Sequence, residues 1–409
     1  MTIKDLNLND IGRKLLLVFI FIVPIFWAAK INAGFASLRL VQEQVFQLGA
    51  MVIYAVVLLE NIYLAAFLIL SVALYLIHDL CGGNYLVNIL YGCLLYQVSY
   101  RTIDSKNVVQ VFKVVLWLAF VNLVWMILQN LGVDLIFFDL SRPGEVMNNV
   151  GFMGLKCFMG MLFVLILPFA IYFNIWVALL LLIPIGLSES SISIISAAII
   201  LIAHFWWKFR TKSRVIFIAL MLFFSTIAVL YTLNDSKANM MTDRFNLWKL
   251  TLKDALKEPF TGWGMDSFRN IGANGKKDFL YFKNEQNVVF HGIYIPETGK
   301  FKLPKDQDFK GNIVHPWDSP HNEYIQILFE FGIFGLVLLL LIGVDIAKRF
   351  SSSDAKQRAI VLFLISFAVC SLAQFPAHVA RLGVFLPVML GIYYKLTDEI
   401  QKGELLYGS

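Results

Sequence analysis

Charged residues are scarce in this chain of 409 residues. Asp, Glu, Lys and Arg together make up 15% of the sequence, against about 25% in a typical soluble domain. Hydrophobic residues make up 59%, and the mean hydropathy is +0.72. A soluble core of this length cannot cover so much apolar surface, so the lipid bilayer must be the solvent for most of the chain.

Cysteine is rare as well. The four cysteines are Cys81, Cys93, Cys157 and Cys370. All lie in or beside apolar runs, without a CxxC pair or the spacing of metal ligands. Cysteines in such surroundings behave as small hydrophobic residues. The sequence therefore gives no reason to expect disulfides or thiol redox chemistry.

Apolar runs of spanning length predict about twelve transmembrane helices. We therefore expect an all-α polytopic membrane protein in three parts: an N-terminal bundle over 1–232, one large loop over 233–320, and a C-terminal bundle with a tail over 321–409. The first run could be a signal peptide, but the many later spans favour an uncleaved helix. The runs lie near 14–30, 47–62, 63–79, 84–100, 108–130, 150–168, 169–187, 191–207, 213–232, 322–347, 357–375 and 382–396.

Lys and Arg are distributed unequally between the two sets of short connections. One set, which includes both ends of the chain, holds 16 of them, and the alternate set holds five. Because positively charged connections stay in the cytoplasm, both termini are expected there and the large loop on the other side. The loop is nearly balanced, with 13 Lys and Arg against 11 Asp and Glu. The net charge of +6 therefore reflects topology and does not indicate nucleic acid as a partner.

Two side chains at the edges of the loop could carry chemistry. Arg244 lies near the start of a predicted helix that Thr242 or Asp243 would cap, and His321 lies at the start of the next span. The middle of the loop, 272–316, is expected to be irregular or hairpin-like. Arg binds phosphate through a rigid fork of donors, and His can accept a proton near neutral pH. The pair fits an anionic substrate and a proton transfer, although each residue type also serves at membrane surfaces as a headgroup contact or a helix cap.

Two sequence blocks surround these residues. The downstream block begins with His321-Asn322 and continues through an apolar stretch to Glu330-Phe331-Gly332-Ile333-Phe334-Gly335. The upstream block begins at Arg244 and continues with Pro259-Phe260-Thr261-Gly262-Trp263-Gly264. These blocks, their order around one large loop and the spans before them resemble the O-antigen ligase and polymerase superfamily. The resemblance implies a membrane fold of the GT-C-like O-antigen ligase type.

The resemblance also implies a metal-independent glycosyltransferase without cofactors, on the periplasmic face of the bacterial inner membrane. The donor would be a glycan on undecaprenyl diphosphate. The acceptor would be a second lipid-linked glycan (polymerase), lipid A-core (ligase) or a protein hydroxyl (oligosaccharyltransferase). Arg244 would bind the donor diphosphate and His321 would activate the acceptor hydroxyl.

O-antigen polymerase is favoured over ligase, with the protein oligosaccharyltransferase as an alternative. A transporter or flippase for the same lipid-linked glycan is an alternative of another class. Transporters place ionisable residues deep in several spans and have related halves. Here the spans hold few ionisable residues, and the polar residues are concentrated in one loop. This distribution favours an enzyme.

Further residues of the two blocks are candidates for substrate binding. Asn322 adjoins the histidine, and Glu330 is a carboxylate within a span, where it needs a polar partner or a role in the site. Gly262 and Gly264 predict a tight turn, whose exposed amides could also contact phosphate. Trp263 could stack on a sugar or anchor at the membrane interface.

One position departs from the pattern of the family. Its ligases usually carry an Arg in a short Ser- and Thr-rich stretch before the loop, and here the stretch 188–193 holds none. Arg269 in the loop and Arg381 at the start of the last span are the candidates for a second diphosphate-binding charge. The gap weakens the ligase assignment more than the general interpretation as a glycosyltransferase.

Overall fold

Helices dominate the computed structural model of the chain. The structure describes residues 13–14, 16–18, 83–133, 151–153, 155–208, 235–264, 267–268, 279–284, 289–295, 300–302, 313–317, 319–351, 354–374, 376–377 and 380–403. Among these residues the helices are α1 (Gly83–Thr102), α2 (Val108–Asn130), α3 (Lys156–Phe173), α4 (Ile175–Leu187), α5 (Ser191–Lys208), α6 (Asp235–Ala255), α7 (Glu323–Arg349), α8 (Ala355–Cys370), α9 (Ala380–Gly383) and α10 (Phe385–Gln401). The predicted runs 84–100, 108–130 and 191–207 match α1, α2 and α5 to within two residues at each end.

Short polar residues set several helix ends. Asn174 separates α3 from α4, and its side-chain oxygen accepts a hydrogen bond from the amide of Trp176 at 2.9 Å. Asp354 caps α8 in the same way, through the amide of Gln357 at 2.6 Å. Such caps satisfy amides that have no partner within the first turn. The observed break at Asn174 confirms the division that was expected between the runs 150–168 and 169–187.

Helix α3 lies at the centre of the described bundle. Every residue from Met159 to Ile171 is buried, and α3 contacts α2, α4, α5 and α8. Phe169 stacks on Phe112 of α2 and on Phe363 of α8, with ring centroids 4.6 and 5.8 Å apart. This burial against four neighbouring helices places α3 inside the described bundle.

Four of the described helices, α2, α3, α5 and α7, are long and apolar enough to cross a membrane, and α4 is apolar but shorter. These helices support a multi-pass membrane protein. The count of twelve spans, the orientation and the three-part division stay predictions. The runs near 14–30, 47–62, 63–79 and 213–232 lie wholly or mostly outside the described residues.

The middle of the loop contains an antiparallel sheet, so the purely all-α prediction is wrong there. The hairpin-like expectation for 272–316 is confirmed, since β1 pairs with β2 with Phe282 opposite Phe290, and β1 also pairs with β4. Val, Ile, Phe and Tyr are concentrated in these segments, and they favour extended backbone. The strands are β1 (Phe279–Asn284), β2 (Val289–Ile295), β3 (Lys300–Lys302) and β4 (Ile313–Trp317), in the order β3-β2-β1-β4.

Helix α6 begins at Asp235, so the prediction that Thr242 or Asp243 caps it is wrong. The intervening residues include Ser, Lys, Ala, Asn and Met but no Gly or Pro, so nothing in the sequence prevents the helix from starting about two turns earlier. The helix ends at Ala255, shortly before Pro259. Arg244 therefore lies in the middle of a continuous helix, which fixes its backbone.

Candidate functional site

The end of α8 binds residues from both sequence blocks. Three successive backbone carbonyls there accept hydrogen bonds from three donors outside α8, and we call these carbonyls the α8 platform. These carbonyls belong to residues 371–373, in the turn that follows Cys370, so they can accept these bonds without disturbing α8. The platform thereby brings the upstream and downstream blocks together. The bonds run from the Glu323 amide to the Ser371 oxygen (2.9 Å), from the Asn322 side-chain amide to the Leu372 oxygen (2.8 Å) and from Arg244 Nη1 to the Ala373 oxygen (3.1 Å).

Arg244 is half-buried above the start of α3. Burial lowers the pKa of its guanidinium, and the nearby Cys157 thiol acts in the opposite direction. Arginine keeps its positive charge at neutral pH because its pKa starts so high. The guanidinium carries five N–H donors, and the bond to Ala373 fixes one end of this fork on the platform. The fork can therefore present its remaining donors to an anion in a fixed orientation.

His321 is positioned by residues on both sides of it. Trp248 of α6 donates its indole N–H to the carbonyl of Pro320 at 2.6 Å. Asn322 begins α7, with its side-chain oxygen accepting from the amide of Ile325 at 3.0 Å. His321 itself has a φ of +53°, in the left-handed region that is uncommon outside glycine. Such a conformation costs about 1–3 kcal/mol, persists only where the surroundings impose it, and clusters at functional sites.

Lys156 brings a second positive charge to this end of the bundle. It is the first residue of α3 and directly precedes Cys157, whose thiol acts on Arg244. Its ammonium forms an ion pair with Glu189 at 3.1 Å. The two side chains are 41% and 53% exposed, so the pair adds little to stability. Glu189 lies within the stretch 188–193, which lacks the Arg usual in ligases of the family. The positive charge beside this stretch is therefore that of Lys156 in α3.

Lys156 lies outside the Ser-rich stretch, the loop and the last span, which are the places where the sequence predicted a second charge. Of the two predicted candidates, Arg269 lies outside the described residues, and for Arg381 the structure describes the backbone in α9. Their roles stay predictions. Among the described residues, no three His, Cys, Asp or Glu side chains lie close enough together to hold a metal ion. Metal-independent chemistry stays a prediction as well.

The two glycine-containing turns bind each other through their backbones. Helix α7 is kinked at Gly332, which has φ +63° and ψ −162°. The kink leaves two carbonyls of the preceding turn of α7 available, and they accept hydrogen bonds from two amides of the upstream block. One amide of α7 donates to a carbonyl of the upstream block. The bonds run from the Trp263 amide to the Phe329 oxygen (2.8 Å), from the Gly264 amide to the Glu330 oxygen (3.0 Å) and from the Ile333 amide to the Pro259 oxygen (2.8 Å).

Gly332→Ala is expected to destabilise the protein by at least about 2 kcal/mol. The new Cβ would overlap the backbone carbonyl of Phe260, and residue 332 has a positive φ of +63°. The midpoint of thermal unfolding in detergent measures the effect. Gly343→Ala is the matched control, since it lies in the same helix with nothing within 4 Å of the added Cβ. Equal midpoints for the two variants would contradict the tight docking of the turns.

The remaining residues of the upstream turn and α7 are held by contacts within the protein. The Glu330 carboxylate accepts from the side-chain amide of Gln326 at 3.0 Å, which is the polar partner that a carboxylate in a span needs. Trp263 donates its indole N–H to the carbonyl of Asp254 at 2.9 Å. The Gly262 amide donates to the carbonyl of residue 258 at 3.0 Å. These contacts stabilise the turn, and direct contact of its residues with substrate stays a prediction.

Residues 176–340 match the family model described as O-antigen ligase. The matched segment begins in α4, contains the whole loop and ends in α7, so it includes both sequence blocks. A comparison with curated proteins gave no match. The match supports what the motif residues around Arg244 and His321 indicate, namely membership in the O-antigen ligase and polymerase superfamily.

Proposed function

We propose that the protein transfers a glycan from undecaprenyl diphosphate to an acceptor hydroxyl on the periplasmic face of the inner membrane, and that it acts as an O-antigen polymerase. The α8 platform supports this proposal most directly. It holds the phosphate-binding residue type, Arg244, and the segment that carries the proton acceptor, His321, on adjacent carbonyls at one end of the bundle. A glycosyl transfer from a diphosphate needs these two functions and a fixed distance between them.

The reaction breaks the bond between the donor sugar and the diphosphate and forms a bond from the sugar to the acceptor oxygen. Negative charge develops on the departing diphosphate, and the Arg244 guanidinium stabilises it. The hydroxyl proton of the acceptor passes to His321. No electron transfer is involved, so the charges and atoms balance without a further reactant.

Lys156 supplies the second charge in this proposal. A lipid diphosphate carries more than one negative charge, and one guanidinium leaves part of it uncompensated. The Lys156 ammonium is held by Glu189 in an exposed pair, which is weak enough to exchange for a phosphate oxygen. This role does not require Arg269 or Arg381.

The pattern of surface glycan in a deletion strain tests the proposed function. Loss of a polymerase leaves single repeats on lipid A-core, and this is the expected result. Long chains stranded on undecaprenyl diphosphate would instead identify a ligase. Normal surface glycan with missing protein glycosylation would identify an oligosaccharyltransferase. Donor that accumulates on the cytoplasmic leaflet would contradict an enzyme and identify a transporter. Complementation with the intact chain is the control in each case.

A further inference from the structure

Helix α6 carries an apolar stripe that no part of the protein covers among the described residues. Phe245, Leu252 and Leu256 are 56%, 38% and 72% exposed. Phe245 and Leu252 lie in α6, and Leu256 directly follows its last residue, with its amide bonded to the Leu252 carbonyl at 3.1 Å. Spacings of seven and four residues therefore place the three on one line. The opposite side of α6 is buried, with Leu247 and Asp254 at 0% and 3% exposure. The stripe is therefore a separate face from the one that packs on α7.

The stripe continues into the exposed face of a candidate membrane span. Phe260, just after α6, is exposed, and its ring lies 6.2 Å from that of Phe334 in α7. Phe334 begins a row of exposed apolar residues in α7 that includes Val337 and Leu340. Helix α7 is long and apolar enough to cross a membrane, and in such a span this exposed row is the part that would face lipid. The α6 stripe thus adjoins the apolar surface that α7 would expose to lipid as a membrane span.

Lysines flank the stripe on its solvent side. Lys249, Lys253 and Lys257 recur every four residues and are exposed, and Lys257 also forms an ion pair with Asp254 at 2.7 Å. An apolar stripe bordered by lysines is typical of a helix that lies in the membrane interface, with its apolar side among acyl chains and its lysines at lipid phosphates. Each such lysine adds attraction to anionic lipids. The charge therefore favours an anionic lipid surface over a protein as the partner of this face.

We propose that α6 lies on the bilayer surface, with the stripe among the outer acyl chains and its lysines on anionic headgroups. Arg244 directly precedes Phe245 in the same rigid helix, so the lipid contact also sets the depth of the guanidinium. This consequence rests on the proposed function: the diphosphate of a lipid-linked donor lies at headgroup depth, where α6 holds Arg244. The helix then serves as a positioning element that matches the site to a membrane-bound substrate.

A photo-crosslinking amino acid in place of Leu256 tests the surface in the full-length protein. In vesicles containing labelled phosphatidylglycerol, the Leu256 variant is expected to take up several-fold more label than a variant with the same probe at Asn246. Asn246 is exposed on the same helix, about 100° around from Phe245, and so is the matched control. Equal labelling at the two positions, or a protein–protein adduct at Leu256, would overturn the lipid assignment.

The lysines are tested by comparing labelled phosphatidylglycerol with labelled phosphatidylcholine. The probe at Leu256 is expected to prefer the anionic lipid, and Lys249→Gln with Lys253→Gln should reduce this preference. If the variant that has the probe at Leu256 and keeps all its lysines took up both lipids equally, the charge assignment would be overturned. Crosslinking does not need turnover, so an enzyme with another reaction would still be labelled. Conversely, normal glycan transfer without labelling would overturn the surface and leave the proposed function intact.

Discussion

Arg244→Ala is expected to lower glycan transfer by about 100-fold or more, because a fixed charge that stabilises the leaving group in the transition state contributes about 10²–10³ in rate. The guanidinium is half-buried, and its bond to the Ala373 carbonyl fixes its orientation. A flexible charged side chain from elsewhere would not place its charge in the same orientation. Transfer by purified protein in vesicles, with an undecaprenyl-diphosphate-linked donor and a hydroxyl acceptor, is the measurement. Arg244→Lys should recover part of the rate, since a lysine restores the charge but not the fork.

Controls separate this effect from general damage. The bond from Arg244 to the α8 platform contributes to stability by about 1.5–3 kcal/mol, so the amount of protein in the membrane and its thermal midpoint must be measured alongside activity. Lys113→Ala removes an exposed charge from α2 and should leave transfer unchanged, because the adjacent Phe112 packs on Phe169 and Tyr172, near the end of α3 opposite Lys156. Lys156→Ala should give a smaller loss than Arg244→Ala, because the lysine is exposed and its charge is more screened. Full activity of Arg244→Ala would sink the assigned role.

The helices were predictable because each membrane span corresponds to a long apolar run in the sequence. The predicted run 108–130 has the bounds of α2, and Asn174 ends one helix and caps the next through its own side chain. The family was also readable, because the residues around Arg244 and His321 stand in a recognisable order. Both are local properties of the sequence, so neighbouring residues alone were sufficient to predict the helices and the family.

The arrangement of the site was not predictable, because it depends on contacts between distant segments. Nothing in the sequence marks Ala373 as the acceptor for Arg244, since any carbonyl at a helix end has the same chemistry. Gly262 and Gly264 predicted a turn, but its close approach to the kink at Gly332 appears only when both segments are folded. The proximity of Lys156 to the stretch 188–193 likewise depends on the fold, through its ion pair with Glu189. Long-range partners need the fold.

His321 is expected to be as important as Arg244, for a different reason. His321→Asn keeps the backbone conformation, because Asn is one of the residues that tolerate a positive φ. Asn cannot accept the acceptor's proton, so the transfer rate should fall by about 10²–10⁴, the usual contribution of a general base. Donor binding should be retained, since Arg244 is untouched. Transfer rates with saturating donor, together with donor affinity, provide the measurement.

The pH dependence of the residual activity distinguishes a base from a structural residue. Without the histidine, deprotonation of the acceptor depends on hydroxide, so the remaining rate of His321→Asn should keep rising with pH. The unaltered protein carries its own base and should not show this continued rise. His321→Gly tests the structural explanation directly, because glycine removes the strain at φ +53° as well as the side chain. If His321→Gly or His321→Asn retained full transfer, His321 would serve only to shape the start of α7. The acceptor's proton would then have to leave by another route.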